Sequence, residues 1–249
     1  MVSVCLATYN GEKFIQQQVS SILSQLSDDD ELIVSDDNST DRTIDIIKSF
    51  SDERIRIYTH DKSRNNRKSY LWRRSASFIS AAMNFQNALS YANGDIIFLS
   101  DQDDVWYQGR VSKMVDALKN SELAYCNYDL IDAESNVIKH NRYPEKPFSN
   151  NILVNIIKMP FFGSAMAFKR SILNRALPLP DNCLAHDNWI ALLSTLNKKP
   201  IYIPDSLHGY RIHSLNVSNA VFPSKNPVWY RIYYRCVFLF QLIKRQCFT

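Results

Sequence analysis

The strongest constraint on the fold is a repeated switch of hydrophobic period in the first hundred residues. Residues 2 to 7 form a short apolar run rich in β-formers, and from 12 to 26 the apolar residues Phe14, Ile15, Val19, Ile22, Leu23 and Leu26 recur at helical spacing. The cycle repeats: residues 31 to 35 predict a strand, and Ser39-Thr40-Asp41 caps a helix carrying Ile44, Ile46, Ile47 and Phe50. Residues 54 to 59 predict a third strand, 78 to 92 a helix, and 95 to 100 a strand buried on both faces. Strands separated by helices pair in parallel, because each crossover returns the chain to the same end of the sheet. The expected fold class is therefore α/β, a mostly parallel sheet flanked by helices.

Beyond residue 122 the pattern loosens. Strands are predicted at 122 to 130 and 163 to 168, a turn at 132 to 136 and a helix at 185 to 197, so this half reads as α+β. The proline-containing stretches at 144 to 147 and 223 to 227 read as loops. A chain of 249 residues with 45% apolar content can bury a sizeable core, which excludes a disordered chain.

The five cysteines are scattered without C-x-x-C spacing, so neither a disulfide framework nor a zinc cluster is expected, and a reducing cytoplasm is the natural compartment. The N-terminal residues lack the basic region and long apolar run of a secretory signal, and no stretch reaches the roughly 20 apolar residues of a membrane span. The net charge of +4 is uneven: Arg54, Arg56, Lys62, Arg64, Arg67, Lys68, Arg73 and Arg74 face only Asp61 between residues 54 and 74. That segment is either a solvated loop or a dock for an anion. Tyr70 and Trp72 are too few aromatic platforms for single-stranded nucleic acid, and no nucleic acid partner is expected.

In an open α/β sheet ligands bind beyond the carboxyl ends of the strands. Three polar tips stand there: Thr8-Tyr9-Asn10-Gly11-Glu12, Asp36-Asp37-Asn38 and Asp101-Gln102-Asp103-Asp104. Carboxylates gathered at one end of a sheet repel one another unless a cation or solvent relieves them. Magnesium or manganese suits such oxygen ligands, and it commonly takes one or two carboxylates while substrate phosphates complete the shell. The alternative is a set of solvated turns. An EF-hand is excluded, since the central glycine and terminal glutamate of its loop are missing.

The segments Val2-Ser-Val-Cys-Leu-Ala-Thr-Tyr-Asn10, Ile33-Val-Ser-Asp-Asp-Asn-Ser-Thr-Asp-Arg-Thr43 and Phe98-Leu-Ser-Asp-Gln-Asp-Asp-Val-Trp106 together resemble the family 2 glycosyltransferases. The resemblance continues through Asn84-Phe85, Gly163 to Phe168, His186-Asp-Asn-Trp189 and Tyr210-Arg-Ile-His213, and it is nearest to bacterial surface-polysaccharide enzymes, including rhamnosyltransferase-like members. It covers residues 1 to 219, with 1 to 105 as the nucleotide-sugar half, 106 to 219 as the acceptor half, and 220 to 249 as an appended helix.

What the resemblance implies is a GT-A fold, a nucleotide-sugar donor and inversion at the anomeric carbon. On matching positions Ala7, Tyr9 and Glu12 would line the nucleotide, Asp37 would accept a hydrogen bond from the base, Asp101 would approach the ribose or the metal, and Asp103 would be the principal ligand of Mn2+ or Mg2+. His213 would complete the metal site or touch the diphosphate, and Arg211 would neutralise phosphate charge. Asp187 would be the general base, against the alternative of a helix-terminal carboxylate stabilised by the dipole. His186 stands where many relatives have glutamate, as in the His-Asp variant of the rhamnosyltransferase-like group, and Ala7 and Asn38 stand where proline and glycine are common. His60, His140 and His208 have no such context.

The expected reaction moves a hexose or deoxyhexose from a UDP- or dTDP-sugar to a hydroxyl of a glycan or lipid-linked oligosaccharide in surface-polysaccharide synthesis. Residues 229 to 248 place aromatic and aliphatic side chains among Arg231, Arg235, Lys244 and Arg245, as in an interfacial helix, so peripheral contact with the inner face of the membrane is one reading and packing on the domain the other. Two rivals remain: a sugar-nucleotide nucleotidyltransferase, which wants a glycine-rich loop where only Gly11 stands, and a non-catalytic nucleotide- or glycan-binding module.

Overall fold

A computed structural model describes residues 1–61, 70–180, 183–196, 199–213 and 226–247. The side chains of Lys62, Arg64, Arg67, Lys68, Arg73 and Arg74, like most of the loop expected at 223 to 227, lie outside the described residues.

The first half follows the predicted alternation: β1 Val2–Thr8, α1 Ile15–Leu23, β2 Glu31–Asp36, α2 Thr43–Ser49, β3 Ile55–Thr59, α3 Tyr70–Ser90 and β4 Ile96–Asp101. Strands β3, β2, β1 and β4 pair in parallel in that order, with Ala7 beside both Ser35 and Asp101. This register brings the ends of β1, β2 and β4 level, which aligns the three polar tips. Val4, Leu6, Leu32, Val34, Phe98 and Leu99 are all buried, as expected of strands covered by helices on both faces.

The second half is β5 Val105–Trp106, α4 Arg110–Ala117, β6 Leu123–Ile131, β7 Val137–Lys139, α5 Ile152–Lys158, β8 Met166–Lys169, α6 Arg170–Ala176, α7 His186–Thr195, β9 Ile201–Arg211 and α8 Val228–Cys247. β8 runs antiparallel between β4 and β6, β9 lies parallel to β6, and β5 closes the edge against β9. The sheet is thus mixed and mostly parallel.

Three expectations change. The strand read at 163 to 168 opens as a 3-10 turn, Gly163–Ala165, and only then extends. The first helix starts at Ile15, because the Gly11 carbonyl accepts the Phe14 and Ile15 N–H groups and holds 11 to 14 as a turn. The third helix begins at Tyr70, eight residues before its periodic apolar positions.

Candidate active site

The loops after β1 and β4 are joined by one side chain. Gln102 accepts the Tyr9 N–H at 2.7 Å and donates to the Tyr9 carbonyl at 3.0 Å, which continues the β1–β4 ladder past the last strand pair. Gly11 makes room for it: a Cβ there would lie 2.5 Å from the Gln102 amide oxygen. Gly11→Ala should therefore keep the fold but dislodge Gln102, costing about 1–2 kcal/mol for the two hydrogen bonds. Measured by chemical denaturation, that loss should vanish in a Gln102→Ala background, because the clash and the clamp are then both absent.

The end of β2 is built by Asp36, whose carboxylate accepts from the hydroxyls of Thr8 and Ser39 and from the Ser39 N–H. Asn38 follows with φ 62°, the left-handed conformation that asparagine tolerates. Asp37 is buried beside it, with Oδ1 2.8 Å from His60 Nδ1 and Oδ2 accepting from the Ser80 hydroxyl at 2.9 Å. His60, for which the sequence offers no role, is thus the partner of a predicted site residue. Its signal is its place at the tip of β3, directly after the Asp36–Thr59 pair.

Ala7 is half-buried and Tyr9 is 51% exposed at the mouth formed by these loops. Glu12 is exposed, but its carboxylate accepts the Arg42 N–H at 3.0 Å, at the positive end of α2.

The acidic run splits into three environments. Asp103 Oδ2 lies 2.7 Å from His213 Nε2, and the His213 ring tilts against Phe14. Burial, then the charges of Asp103 and Asp187, push the Asp101 carboxyl up to about 7. Three acids separated in sequence by up to 86 positions, 187 minus 101, therefore share one electrostatic neighbourhood. Asp104 turns inward: Oδ1 accepts the Arg211 N–H at 3.1 Å, Oδ2 sits 4.0 Å from His208 Nε2, and burial followed by the charges of Asp103 and Asp101 raises it well above the usual carboxylate range. His208 is fully buried and held far below its ordinary value, first by burial and then by the nearby Arg110 guanidinium.

Arg211 departs from its expected role. Its side chain is buried, with Nε donating to the Asp103 carbonyl, Nη1 to the carbonyls of Asp132 and Ala133 and to the Ser135 hydroxyl, and Nη2 to Gln17. Its face lies 4.6 Å from the Phe14 ring centre. A guanidinium bound on this many sides by its own chain is a strut under the Asp103 loop rather than a ready phosphate contact. Arg110, invisible to motif reading, does similar work beneath Asp104 by donating to the Ser164 carbonyl and stacking on Trp106.

Asp187 stands in the first turn of α7, where Oδ1 accepts from the Asn188 backbone and side-chain amides. Asn188 in turn exchanges two hydrogen bonds with the Phe161 backbone, which fixes the start of α7 against the turn at Gly163. Beside it the His186 ring stacks on Phe85, and burial lowers its pKa, favouring the neutral imidazole.

Among the described residues no group of three or more His, Cys, Asp or Glu side chains gathers in a metal-holding arrangement. The paired Asp103 carboxylate and His213 imidazole nevertheless suit a divalent ion of the magnesium or manganese type, which needs few protein ligands when phosphates supply the rest.

A family model described as Glycosyl transferase family 2 matches residues 3–177. The chain belongs to that family. A curated relative, the UDP-Glc:alpha-D-GlcNAc-diphosphoundecaprenol beta-1,3-glucosyltransferase WfgD of Escherichia coli, is 26% identical over 266 aligned positions that span all of this chain and 96% of WfgD. The dTDP-rhamnosyl transferase RfbG of Shigella flexneri is 34% identical over 45% of this chain and 36% of its own length. In three dimensions this family 2 glycosyltransferase superposes on the mannosyltransferase PcManGT of Pyrobaculum calidifontis, solved with GDP-Man and Mn2+, with a TM-score of 0.59 and 22% identity over 87% of this chain and 58% of that one. The match shows the GT-A fold. In this family 2 glycosyltransferase the family match ends at residue 177, so Asp187, Arg211 and His213 lie beyond it.

Proposed function

We propose that the chain is an inverting glycosyltransferase that moves a hexose or deoxyhexose from a UDP- or dTDP-sugar to a hydroxyl of a lipid-linked glycan in bacterial polysaccharide synthesis. The observation that carries this reading is the Asp103–His213 pair beyond β4 and β9, with Asp101 at the end of β4 and Asp187, in the first turn of α7, near enough to raise the Asp101 carboxyl. The names of WfgD and RfbG support the donor classes, and WfgD supports an undecaprenol-linked acceptor.

In this mechanism Asp37, oriented by His60 and Ser80, accepts a hydrogen bond from the base, and Ala7, Tyr9 and Glu12 border the nucleotide. Asp103 and His213 would hold a divalent metal, which when bound neutralises the leaving diphosphate. Asp187 accepts the acceptor hydroxyl's proton as its oxygen attacks the anomeric carbon, and the bond from that carbon to the diphosphate breaks on the opposite face. Residues 1 to 219 would form the catalytic unit, working at the cytoplasmic face of the membrane.

Release of UDP or dTDP only when donor, metal and acceptor are all supplied would bear this out. A nucleotidyltransferase would release pyrophosphate instead, and a binding module would release nothing. Asp103→Asn should lower turnover at saturating metal by about 10²-fold or more and weaken manganese binding measured by calorimetry; unchanged manganese affinity would remove Asp103 from the metal site.

A further inference from the structure

Helix α8 carries apolar side chains on both of its sides. Tyr230, Phe238 and Leu242 are buried against the domain, with Phe238 edge-on to Trp189 at 5.8 Å. On the other side Val228, Ile232, Phe240 and Ile243 are 60%, 57%, 66% and 55% exposed, and Trp229 and Tyr233 are about half exposed. At 100° per residue these six fall within an arc of about 140°. A surface helix ordinarily gives that arc to polar residues. Helix α5 lies alongside, tied by Arg235 Nε donating to the Ile157 carbonyl at 2.7 Å, and it adds Leu153 and Ile157, 55% and 65% exposed.

The charges carried by these two helices have one sign. Helix α8 holds Arg231, Arg235, Lys244 and Arg245, helix α5 ends in Lys158, and neither contains an aspartate or glutamate; Arg235 and Lys244 border the apolar arc at 100° per residue, while Arg245 turns back to donate to the Arg175, Leu177 and Pro178 carbonyls. Two copies of the face would oppose like charges, whereas an anionic bilayer would meet both its apolar arc and its cations. Among the described residues no helix is long and apolar enough to cross a membrane, so the fitting geometry is one that lies on the surface.

We propose that α5 and α8 together form a docking surface for an anionic lipid bilayer. The proposal rests on the functional reading above for its purpose, since a lipid-linked acceptor is met at that surface, but its physical basis is independent of the chemistry. The sequence reading considered α8 alone; the contribution of α5 and the outward direction of the apolar arc come from the fold.

The test is co-sedimentation of the full chain with phosphatidylcholine vesicles containing a quarter phosphatidylglycerol, at low and high salt, beside vesicles of phosphatidylcholine alone. The protein should bind the anionic vesicles, and at least about tenfold more weakly when the anionic lipid is omitted or salt is raised. Ile232→Glu combined with Phe240→Glu should weaken binding by about tenfold or more and keep both the melting temperature and transfer to a water-soluble acceptor, because both side chains are already exposed. Ile157→Glu should weaken binding severalfold, which assigns α5 its share. The proposal fails if the unaltered protein leaves anionic vesicles unbound, or if the double variant binds as tightly. It also fails if the face instead seats a second copy, seen as a concentration-dependent dimer that the double variant dissolves. Vesicle binding without any sugar transfer would leave the surface standing and sink only the functional reading.

Discussion

Asp187→Asn should reduce transfer to the acceptor by roughly 10³-fold while leaving donor affinity within about twofold. The substitution isolates proton transfer from geometry. Asparagine keeps an oxygen where Oδ1 accepts the Asn188 amides, so the first turn of α7 and its link to the Phe161 backbone are retained. What is lost is a basic oxygen able to take the acceptor's proton. Single-turnover transfer together with calorimetric titration of the donor separates the two effects, and retained transfer in the variant would overturn the base assignment. If Asp187 served only the helix dipole, the expected outcome would instead be a small loss of stability, on the order of 0.5 kcal/mol, with turnover intact.

Arg211→Leu should destabilise the protein by roughly 3–5 kcal/mol, enough to lower the melting temperature by about 10 °C, even with no donor present. The buried guanidinium satisfies the carbonyls of Asp103, Asp132 and Ala133, and removing it leaves those oxygens without a charged donor while opening space against Phe14. Arg211→Lys should recover little, because one ammonium cannot span groups on separate loops as the planar fork does. A phosphate contact would show the opposite pattern, a raised KM for donor at unchanged melting temperature. Thermal melts of the ligand-free protein and donor kinetics read the two quantities separately.

The candidate site combines acids whose charges act on one another with side chains turned into the protein. Burial and the nearby charges of Asp103 and Asp187 raise the Asp101 carboxyl, so its ionised form is disfavoured. That arrangement is costly without a ligand, and such cost persists where a cation or a reacting group exploits it. Asp36, Asp104, Arg110 and Arg211 are by contrast turned into the protein: Asp36 and Arg211 are bound on several sides by the chain itself, while Asp104 Oδ2 and Arg110 Nε are buried without a hydrogen-bond partner among the described residues.

Much of this was legible from local pattern. Strands β1, β2 and β4 announce themselves because parallel strands covered on both faces must be continuously apolar, and the polar tips after them mark the ligand-binding edge for the same topological reason. The acidic run at 101 to 104 could be read from residue type and position as a possible cation site, whereas the roles of Asp103 and Asp187 came from the family resemblance. The family is visible in the segments at 2 to 10, 33 to 43 and 98 to 106, which fall almost entirely within the matched residues 3–177.

What tertiary structure decided is what depends on partners far away in sequence. Strand β9 spans eleven residues across Pro204 and Asp205, and its extended form is fixed by pairing with β6 rather than by its own propensity. His60 becomes the partner of Asp37 only when β3 lines up beside β2, and Arg211 becomes a strut only when the loops at 103 and 132 to 135 close over it. The last helix was readable as a helix, but which of its two apolar arcs would be covered was set by where Trp189 and α5 lie. Period and residue type are properties of a segment; burial of a charge, or exposure of an apolar arc, is a property of what packs against it.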